Sequence, residues 1–495
     1  MGGESADRPV PDAAARTPAR PIVTVVVGGG IAGLVAAWVR AQAGDHVLVL
    51  EASEQVGGTV RGATLDLADG STVTVDVGAE SFATRTPAVA DLARDLGLAV
   101  VQPDPLGAWA YAAERAHDDP DAPLRPVAVP LPRTATLGIP TSPWSRDVRR
   151  ALGTWGALRA WWDLGMPRTP VPPPDRPWSL ADWVRERLGE TVLDRLVAPV
   201  AGGVHSADPA TLDPRTVAPQ LVAAYEKTGS LLRAASQVAA APGRGKDKPG
   251  SPVAGVEGGM HRIVDELVDA IEAAGGAVRT GVRVDALVRN GDGDGWVVRA
   301  GDEQVAAARV VAATPRRVAT DLLGDLLPPA TAHPRHGSDV QLVTLVLDAP
   351  ALDAAPRGTG VLVAPSADVR AKGLTHATAK WPWLRAALPV HRHVVRLSYG
   401  RAGDPGHTRV PDVDEALADA SRLLGVTLDR AAVVGHLGTH WPDALAPAVS
   451  FDRERAEAAQ AAAPGLTVVG GWVAGTGLAA VVGHARAAVT PPAIA

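Results

Sequence analysis

A glycine pattern near the amino terminus limits what this 495-residue chain can fold into. The pattern G-x-G-x-x-G occupies positions 28–33, between the β-branched run 23–27 and the Ala/Leu-rich run 31–41. Positions 23–39 carry no charged residue, so a transmembrane helix is the alternative, but three consecutive glycines would weaken a helix at its centre. A second apolar run, HVLVLEAS, includes Glu51 near its end. The stretch therefore predicts a buried strand, a glycine turn, a helix and a second strand.

Each glycine of the pattern has a physical role in binding a dinucleotide. Gly28 permits the tight turn, Gly30 lets the backbone approach a pyrophosphate, and Gly33 lets the helix pack closely on the strand. The free N–H groups at the helix N-terminus attract the anion. Glu51 follows Gly33 by 18 residues, near the spacing of about 20 typical of an acid that binds the ribose. The spacing predicts a dinucleotide-binding unit, with a coincidental glycine turn as the alternative.

A second glycine pair favours FAD over NAD as the predicted cofactor. Gly57 and Gly58 follow Glu51, and Arg61 comes shortly behind them. An NAD-binding domain has no need of this second loop, whereas in a large flavoprotein family it runs along the FAD pyrophosphate; an ordinary turn is the alternative. The predicted FAD contacts of the amino-terminal unit also include Ile31, Ala32 and Ala52.

The carboxy-terminal stretch repeats the arrangement of strand, glycine turn and helix. Leu466–Val469 predicts a strand, Gly470–Gly477 a turn, and a helix begins at Leu478. A helix N-terminus that follows a glycine turn is a second anion site. The predicted contacts are Gly475, Gly477, Leu478 and Ala479, and a buried helix without a ligand is the alternative.

Composition excludes several other kinds of site. The chain has no cysteine, which excludes disulfides, thiolate chemistry, cysteine-ligated metals and a flavin tethered through sulfur. We therefore expect any FAD to be bound non-covalently, and we predict no metal site. The net charge of −6 gives no general basic field for nucleic acid. Residues 1–20 are polar and rich in Pro and Ala without an apolar core, so we expect a disordered leader rather than a secretory signal.

Segments over nearly the whole chain resemble one family, the FAD-dependent protoporphyrinogen/coproporphyrinogen oxidases within the wider amine oxidase and phytoene desaturase group. The similar segments are VVVGGGIAGLVAAW, VLVLEASEQVGGTVR, DVGAESFATRTPAVADLARDLGL, LVAPVAGGVHSADPATLD, VEGGMHRIVDEL, VVAATP, THATAKWPW and THWPDALAP. Two places depart from the family pattern. AVSFDRERA replaces the usual Tyr-x-x-Gly-His, and Ala479-Ala480 replaces the usual Pro-Asp at the start of the last helix.

The resemblance implies an α/β fold with a discontinuous, Rossmann-like FAD-binding domain, a strand-rich substrate domain and a helical insertion. The implied segments are 20–85, 255–335 and 430–495 for FAD binding, 90–235 for the helical insertion, which faces the substrate or a membrane, 241–252 for a linker, and 336–430 for the substrate domain.

The resemblance also implies an oxygen-dependent porphyrinogen oxidase of heme biosynthesis. Its substrate would lose six electrons in three hydride transfers to FAD, and O2 would be reduced to H2O2. Similarity to actinobacterial members favours coproporphyrinogen III, with protoporphyrinogen IX as the alternative. A flavin amine oxidase or carotenoid desaturase is a second alternative, although three Tyr and two Phe leave little material for an aromatic cage. A redox-silent tetrapyrrole carrier is the alternative that is not an enzyme.

Five further residues receive roles through the resemblance. Backbone groups of Val284 are expected to touch the adenine, and Trp441 to pack near the flavin. Arg85 is a candidate for a substrate propionate, His205 for the cavity lining, and Lys380 for a contact with flavin or substrate; core or surface positions are the alternatives. In this family the flavin performs the chemistry, so we assign no protein residue as catalytic and name Lys380 as the candidate.

The predicted location is cytoplasmic, with at most loose, peripheral membrane contact. Six tryptophans between positions 144 and 183, with arginines among them, are candidates for an interfacial surface, and packing in a helical core is the alternative. The expected partners are the porphyrinogen, O2 and, further along the pathway, ferrochelatase; no nucleic acid is expected.

Overall fold

The strands of the computed structural model form five sheets within the described part of the chain. That part comprises residues 24–114, 125–132, 136–168, 178–205, 208–240, 253–290, 295–329, 338–401, 409–445, 450–475 and 477–490. The predicted leader 1–20 and linker 241–252 lie outside it. The strands are β1 Thr24–Val27, β2 Val47–Leu50, β3 Gly62–Asp66, β4 Thr72–Asp76, β5 Phe82–Ala83, β6 Val100–Val101, β7 Trp109–Glu114, β8 Arg125–Pro130, β9 Val253–Val256, β10 Ala277–Arg279, β11 Ala286–Arg289, β12 Trp296–Ala300, β13 Glu303–Ala307, β14 Arg309–Ala312, β15 Ser338–Asp348, β16 Gly360–Val363, β17 Gly373–His376, β18 Arg392–Tyr399, β19 Val433–Leu445 and β20 Leu466–Val468.

Helices cover the faces of these sheets and form a separate helical region. They are α1 Ile31–Gln42, α2 Ala88–Asp95, α3 Arg146–Trp161, α4 Leu180–Leu188, α5 Glu190–Val192, α6 Ala198–His205, α7 Pro214–Val217, α8 Pro219–Thr228, α9 Leu231–Ala239, α10 Arg262–Ala273, α11 Arg316–Leu323, α12 Ala377–Lys380, α13 Pro382–Ala386, α14 Val413–Leu424, α15 Ser450–Ala462, α16 Gly471–Ala474 and α17 Leu478–Val489. Among these helices, none is long and apolar enough to cross a lipid bilayer.

A parallel five-stranded sheet forms the centre of the predicted FAD-binding part. Its strand order is β10-β2-β1-β14-β20, and Val25 in β1 is in register with Leu48 and Val310 on either side. One face packs against α1, α2, α10 and α17, and the other against α11, α15 and the small antiparallel sheet β11–β13. Because both faces are covered, β1 and β2 are buried along their whole length, as parallel strands require. The α/β fold class is confirmed.

A mixed seven-stranded sheet, the large sheet, forms the second main part of the fold. Its strand order is β19-β15-β18-β17-β16-β7-β8. One face packs against α14, and the other meets the β3–β4 hairpin through a cluster that includes Leu65, Val75 and Val394. The amino-terminal segment therefore contacts both the parallel sheet and the large sheet.

The large sheet takes strands from outside the segment predicted for the substrate domain. β7 and β8 fall within 90–235, predicted as a helical insertion, yet β7 pairs in parallel with β16. β19 falls within 430–495, predicted for FAD binding, yet it pairs along β15. The predicted domain bounds therefore do not follow the membership of the sheets, because the apolar pattern of a strand does not reveal which sheet it joins.

The helices between 146 and 239 have a core of their own, which surrounds a buried ion pair. Arg187 and Asp163 are fully buried, with Nε and Oδ1 2.6 Å apart. The second carboxylate oxygen of Asp163 accepts hydrogen bonds from Ser230 Oγ and from the Leu232 N–H. Both charges are therefore satisfied inside this core.

The turn after β1 brings α1 unusually close to the strand. A Cβ atom on Gly33 would lie 2.0 Å from the carbonyl oxygen of Gly28, and Gly28 itself has a φ of +105°. A side chain at either position would separate the helix from the strand. Gly30 differs, because a Cβ atom there would have no other atom within 4 Å.

We expect Gly33→Ala to lower the free energy of unfolding by about 3 kcal/mol, because its methyl group overlaps a backbone oxygen. Gly30→Ala is the matched control in the same turn, and its cost should stay below about 1 kcal/mol because Gly30 has an ordinary φ of −69° and open space. Denaturant unfolding of the ligand-free proteins measures both. Equal losses would show that the contact does not set the helix position.

Candidate cofactor and active site

The carboxyl ends of the central parallel strands meet at one edge of the sheet. A Cβ atom on Gly28, after β1, would lie 2.7 Å from the Ala313 carbonyl oxygen, after β14. Trp472, after β20, donates its indole N–H to the Thr314 carbonyl at 3.1 Å. Ligands of open parallel sheets bind in the crevice outside these ends. The glycine turn and the carboxy-terminal helices therefore border one candidate site.

The N-terminus of α1 is open to an anion. Its N-cap is Gly30, which offers no side chain to the first N–H groups, and the first turn contains no acidic residue. Ile31 and Ala32 begin the helix and are buried. The open space beside Gly30 lies at these free donors, where a phosphate group fits.

Three hydrogen bonds fix the Glu51 carboxylate, and one of them comes from this turn. One carboxylate oxygen accepts the Gly29 N–H at 2.7 Å, and the other accepts the N–H and Oγ of Ser53 at 2.8 and 2.7 Å. The adjacent Ala52 is exposed. A carboxylate has about four acceptor positions, so Glu51 keeps capacity for a ribose hydroxyl.

Val284 lies near Glu51 in the structure. The Glu51 carbonyl accepts the N–H of Val282 at 2.8 Å, and Val284 is buried two residues further along the chain. The contact of Val284 with an adenine stays a prediction.

The second glycine pair, Gly57 and Gly58, lies directly beside the first glycine turn. The Gly57 N–H donates to the Gly29 carbonyl at 2.7 Å, and a Cβ atom on Gly58 would lie 3.3 Å from Gly30 Cα. Both Gly57 and Gly58 have positive φ angles, of +102° and +58°. The two glycine loops thus form one backbone surface, which suits an extended pyrophosphate better than a single turn does.

Arg61 brings a cation to this surface. Its guanidinium carbon lies 4.9 Å from the centre of the Trp441 ring, and its buried Nε has no hydrogen-bond partner among the described residues. Trp441 is fixed in turn by an indole hydrogen bond to the Val77 carbonyl at 2.7 Å. A buried donor without a partner is costly, so this atom is suited to a ligand anion.

The last helix, α17, offers a second open N-terminus. Gly475 and Gly477 have φ angles of +103° and +114°, and the first turn has neither an acid nor a side-chain cap. Leu478 and Ala479 are half-buried, and α17 packs along α1. Together with the glycine loops and the unpartnered Arg61 nitrogen, this helix end fits FAD. When bound, FAD would supply the acceptor for electrons, and these residues would hold its phosphates and favour negative charge on it.

Lys380 lies in a partly buried group of charges that the sequence does not reveal. Its ammonium is 2.5 Å from Glu80, and Arg396 approaches the other oxygen of Glu80 at 2.8 Å. Burial alone would raise the pKa of Glu80, but the adjacent Arg396 and Lys380 charges outweigh it and lower that pKa to about 2. Glu80 and Lys380 are 300 positions apart, so no local pattern pairs them.

The other substrate candidates lie elsewhere. Arg85 is exposed on the loop between β5 and α2, two elements that pack beside α17. His205 is the last residue of α6, which packs on β16. No contact within the described residues joins Arg85 to Lys380, so the roles of these three residues stay predictions.

Comparison with known proteins agrees with this geometry. Residues 31–489 match the model of the flavin containing amine oxidoreductases. The coproporphyrinogen III oxidase of Mycobacterium tuberculosis is 30% identical over 484 residues, which cover 94% of this chain and 96% of that protein. The coproporphyrinogen III oxidase of Bacillus subtilis is 23% identical over 94% of this chain and 97% of its own length.

A solved structure from Exiguobacterium sp. 255-15 superimposes with a TM-score of 0.72 at 22% identity, over 94% of this chain and 97% of that one. The fold is therefore shared along almost the full length. The predicted cofactor, FAD, and the predicted family are confirmed: the chain belongs to the flavin containing amine oxidoreductases, in the group that includes the coproporphyrinogen III oxidases.

Proposed function

We propose that this protein oxidises coproporphyrinogen III to coproporphyrin III in heme biosynthesis, with O2 as the acceptor. The observation that carries the proposal is the 30% identity to the Mycobacterium tuberculosis enzyme over nearly both full lengths. One porphyrinogen and three O2 give one porphyrin and three H2O2, so the substrate loses six electrons and six protons. The product is a metal-free porphyrin, which makes ferrochelatase the proposed partner further along the pathway.

The chain's own residues contribute binding and placement in this proposal. The product is aromatic, so no strong protein base is needed to drive the oxidation. Coproporphyrinogen carries four propionates, which require cationic partners. Arg85 is exposed and Lys380 belongs to a group with more cations than anions, so both suit carboxylates.

The distribution of aromatic residues disfavours an amine oxidase. Tyr111, Tyr225 and Tyr399 are all buried in hydrophobic clusters, Tyr225 in the helical core and the other two on the α14 face of the large sheet. Phe82 is buried in the cluster that also contains residues of α1, α2, α10 and α17. These residues are therefore not free to form an aromatic cage around an amine. Protoporphyrinogen IX remains the alternative substrate, and a carrier without turnover the alternative that is not an enzyme.

Oxygen consumption with each porphyrinogen tests the proposal. We expect kcat/KM for coproporphyrinogen III to exceed that for protoporphyrinogen IX by about tenfold or more, because two additional propionates can each form a charge-assisted contact. Porphyrin absorbance should rise with one porphyrin per three O2. The reverse preference would assign protoporphyrinogen, and tight binding without O2 uptake would identify a carrier.

Arg85→Ala should raise KM for the porphyrinogen about tenfold, because one carboxylate partner is lost, while the FAD content stays normal. Arg94→Ala is the control, since Arg94 is also exposed and lies on the adjacent helix α2 but pairs with Asp91. Steady-state kinetics and flavin absorbance measure both variants. Loss of flavin with unchanged KM would place Arg85 at the cofactor instead.

We infer a cytoplasmic protein with loose membrane contact, because an apolar surface projects from the helical region. Trp155 is 83% exposed and Trp162 67%, and Leu158 and Trp161 lie exposed between them. Gly153, with a φ of +69°, breaks α3 ahead of these residues, and the part of α3 before the break presents exposed arginines at 146, 149 and 150. Indole rings suit the headgroup region, and each such cation adds about 1 kcal/mol on an anionic surface. Trp183, by contrast, is buried in the helical core.

Flotation with anionic vesicles should show weak binding that about 0.5 M NaCl removes, because much of the attraction is electrostatic and salt screens it. Trp155→Ser with Trp162→Ser should abolish it. Val390→Ser is the control, since Val390 is 79% exposed but is not part of α3. Tight, salt-resistant binding would contradict loose contact, and unchanged binding of the double variant would exclude the tryptophan surface.

A further inference from the structure

Glu80 connects residues 76–80 to the large sheet through ion pairs with Lys380 and Arg396. We call these three charged side chains the junction. One carboxylate oxygen accepts hydrogen bonds from Lys380 Nζ at 2.5 Å and Thr375 Oγ1 at 3.2 Å. The other lies 2.8 Å from Arg396 Nη2. Thr375 and Arg396 are register partners on β17 and β18, so the sheet fixes two of the three partners.

The junction carries one net positive charge. Lys380 and Arg396 each contribute a cation, and Glu80 is the carboxylate between them. Their side chains are only 12 to 14% exposed, so solvent screens the excess charge weakly. The carboxylate of Asp76, on the same segment as Glu80, accepts the N–H groups of Met260 and His261 and contacts the His261 ring, so it binds the start of α10 and not Lys380 or Arg396.

The segment that carries Glu80, residues 76–80, is hydrogen-bonded to residues 57–61, which we call the cofactor loop. The N–H groups of Val77 and Ala79 donate to the carbonyls of Arg61 and Thr59 at 2.9 and 2.8 Å. Residues 59–61 directly follow the second glycine pair. Arg396 also binds this segment, because its Nη1 donates to the Gly78 carbonyl at 2.7 Å. The net charge of the junction is thereby held at a fixed place beside the residues that hold FAD.

We propose that Glu80 is a positioning residue for the cofactor: it holds Lys380 and Arg396 beside the cofactor loop and limits them to one net positive charge, which stabilises negative charge on the flavin. The proposal rests on FAD as the cofactor and not on the identity of the porphyrinogen. Reduced flavin carries negative charge, so the size of this fixed charge sets how readily the flavin accepts electrons.

Isosteric charge variants test the proposal through opposite effects. Glu80→Gln raises the junction to two positive charges, and Lys380→Met lowers it to zero. Sulfite is the probe, because it binds to oxidised flavin, leaves negative charge on it and needs no porphyrinogen. Glu80→Gln should tighten sulfite binding about tenfold, and Lys380→Met should weaken it about tenfold. The double variant restores one positive charge and should return to within about threefold of the wild type.

The flavin reduction potential is a second readout. Glu80→Gln should raise the potential and Lys380→Met should lower it. A tenfold change in the equilibrium corresponds to about 30 mV for a two-electron couple. A merely structural role would shift both single variants in the same direction through loss of packing, and that result would overturn the proposal. Should Glu80→Gln fail to retain FAD, Lys380→Met alone decides, because unchanged sulfite affinity there excludes the charge effect.

Asp45 provides a matched control. It is 11% exposed, accepts a hydrogen bond from Thr24 Oγ1 and pairs with Arg40 and Arg309, so it also sits between a threonine and two cations. It lies at the amino end of β1, opposite the glycine turn. Asp45→Asn should therefore leave sulfite affinity and potential unchanged. A shift equal to that of Glu80→Gln would show that the effect is not local to the cofactor loop.

Discussion

The contact between Gly33 and the Gly28 carbonyl is the constraint on which the rest of the site depends. With a Cβ atom excluded at 2.0 Å, α1 can cross β1 closely enough to place its uncapped N-terminus at the carboxyl edge of the parallel sheet. The same close turn leaves the Gly29 carbonyl and N–H available to Gly57 and Glu51. One backbone approach therefore aligns the anion site, the second glycine loop and the acid expected at the ribose.

A second constraint connects this cofactor surface to the large sheet. The β3–β4 hairpin packs on the sheet through apolar side chains, which supply area but little directional preference. Direction comes from the polar contacts of residues 76–80 with Arg396 and Trp441, which bind backbone carbonyls of that segment. These contacts fix how strands β18 and β19 lie relative to the glycine loops, and Trp441 also packs against the apolar cluster between the hairpin and the sheet.

The sequence predicts local geometry well and distant pairing poorly. The three glycines, Glu51 and the second glycine pair lie within about 30 residues, so spacing alone places them together, and the structure does so. Glu80, Thr375 and Arg396 meet only through the pairing of β17 with β18, which no spacing in the chain encodes. The same limit explains the strands β7 and β19, whose apolar patterns predict strands without identifying their sheet. The residues missed at the site are thus those whose partners come from another layer.

The chain has 13 tryptophans but only three tyrosines and two phenylalanines, and its tryptophans lie both in the cores and on the surface. Two of them, Trp183 and Trp296, are almost fully buried in separate cores, where each large ring fills volume that Phe would usually take. The helical core is already closed by leucines, alanines and a satisfied ion pair, so it does not require Trp155 or Trp162. Leaving such large rings in water forgoes roughly 1.5–3 kcal/mol each. No described residue buries these rings, and the exposed arginines at 146, 149 and 150 precede them on the same segment, so insertion of the rings into the headgroup region of an anionic membrane would recover that free energy.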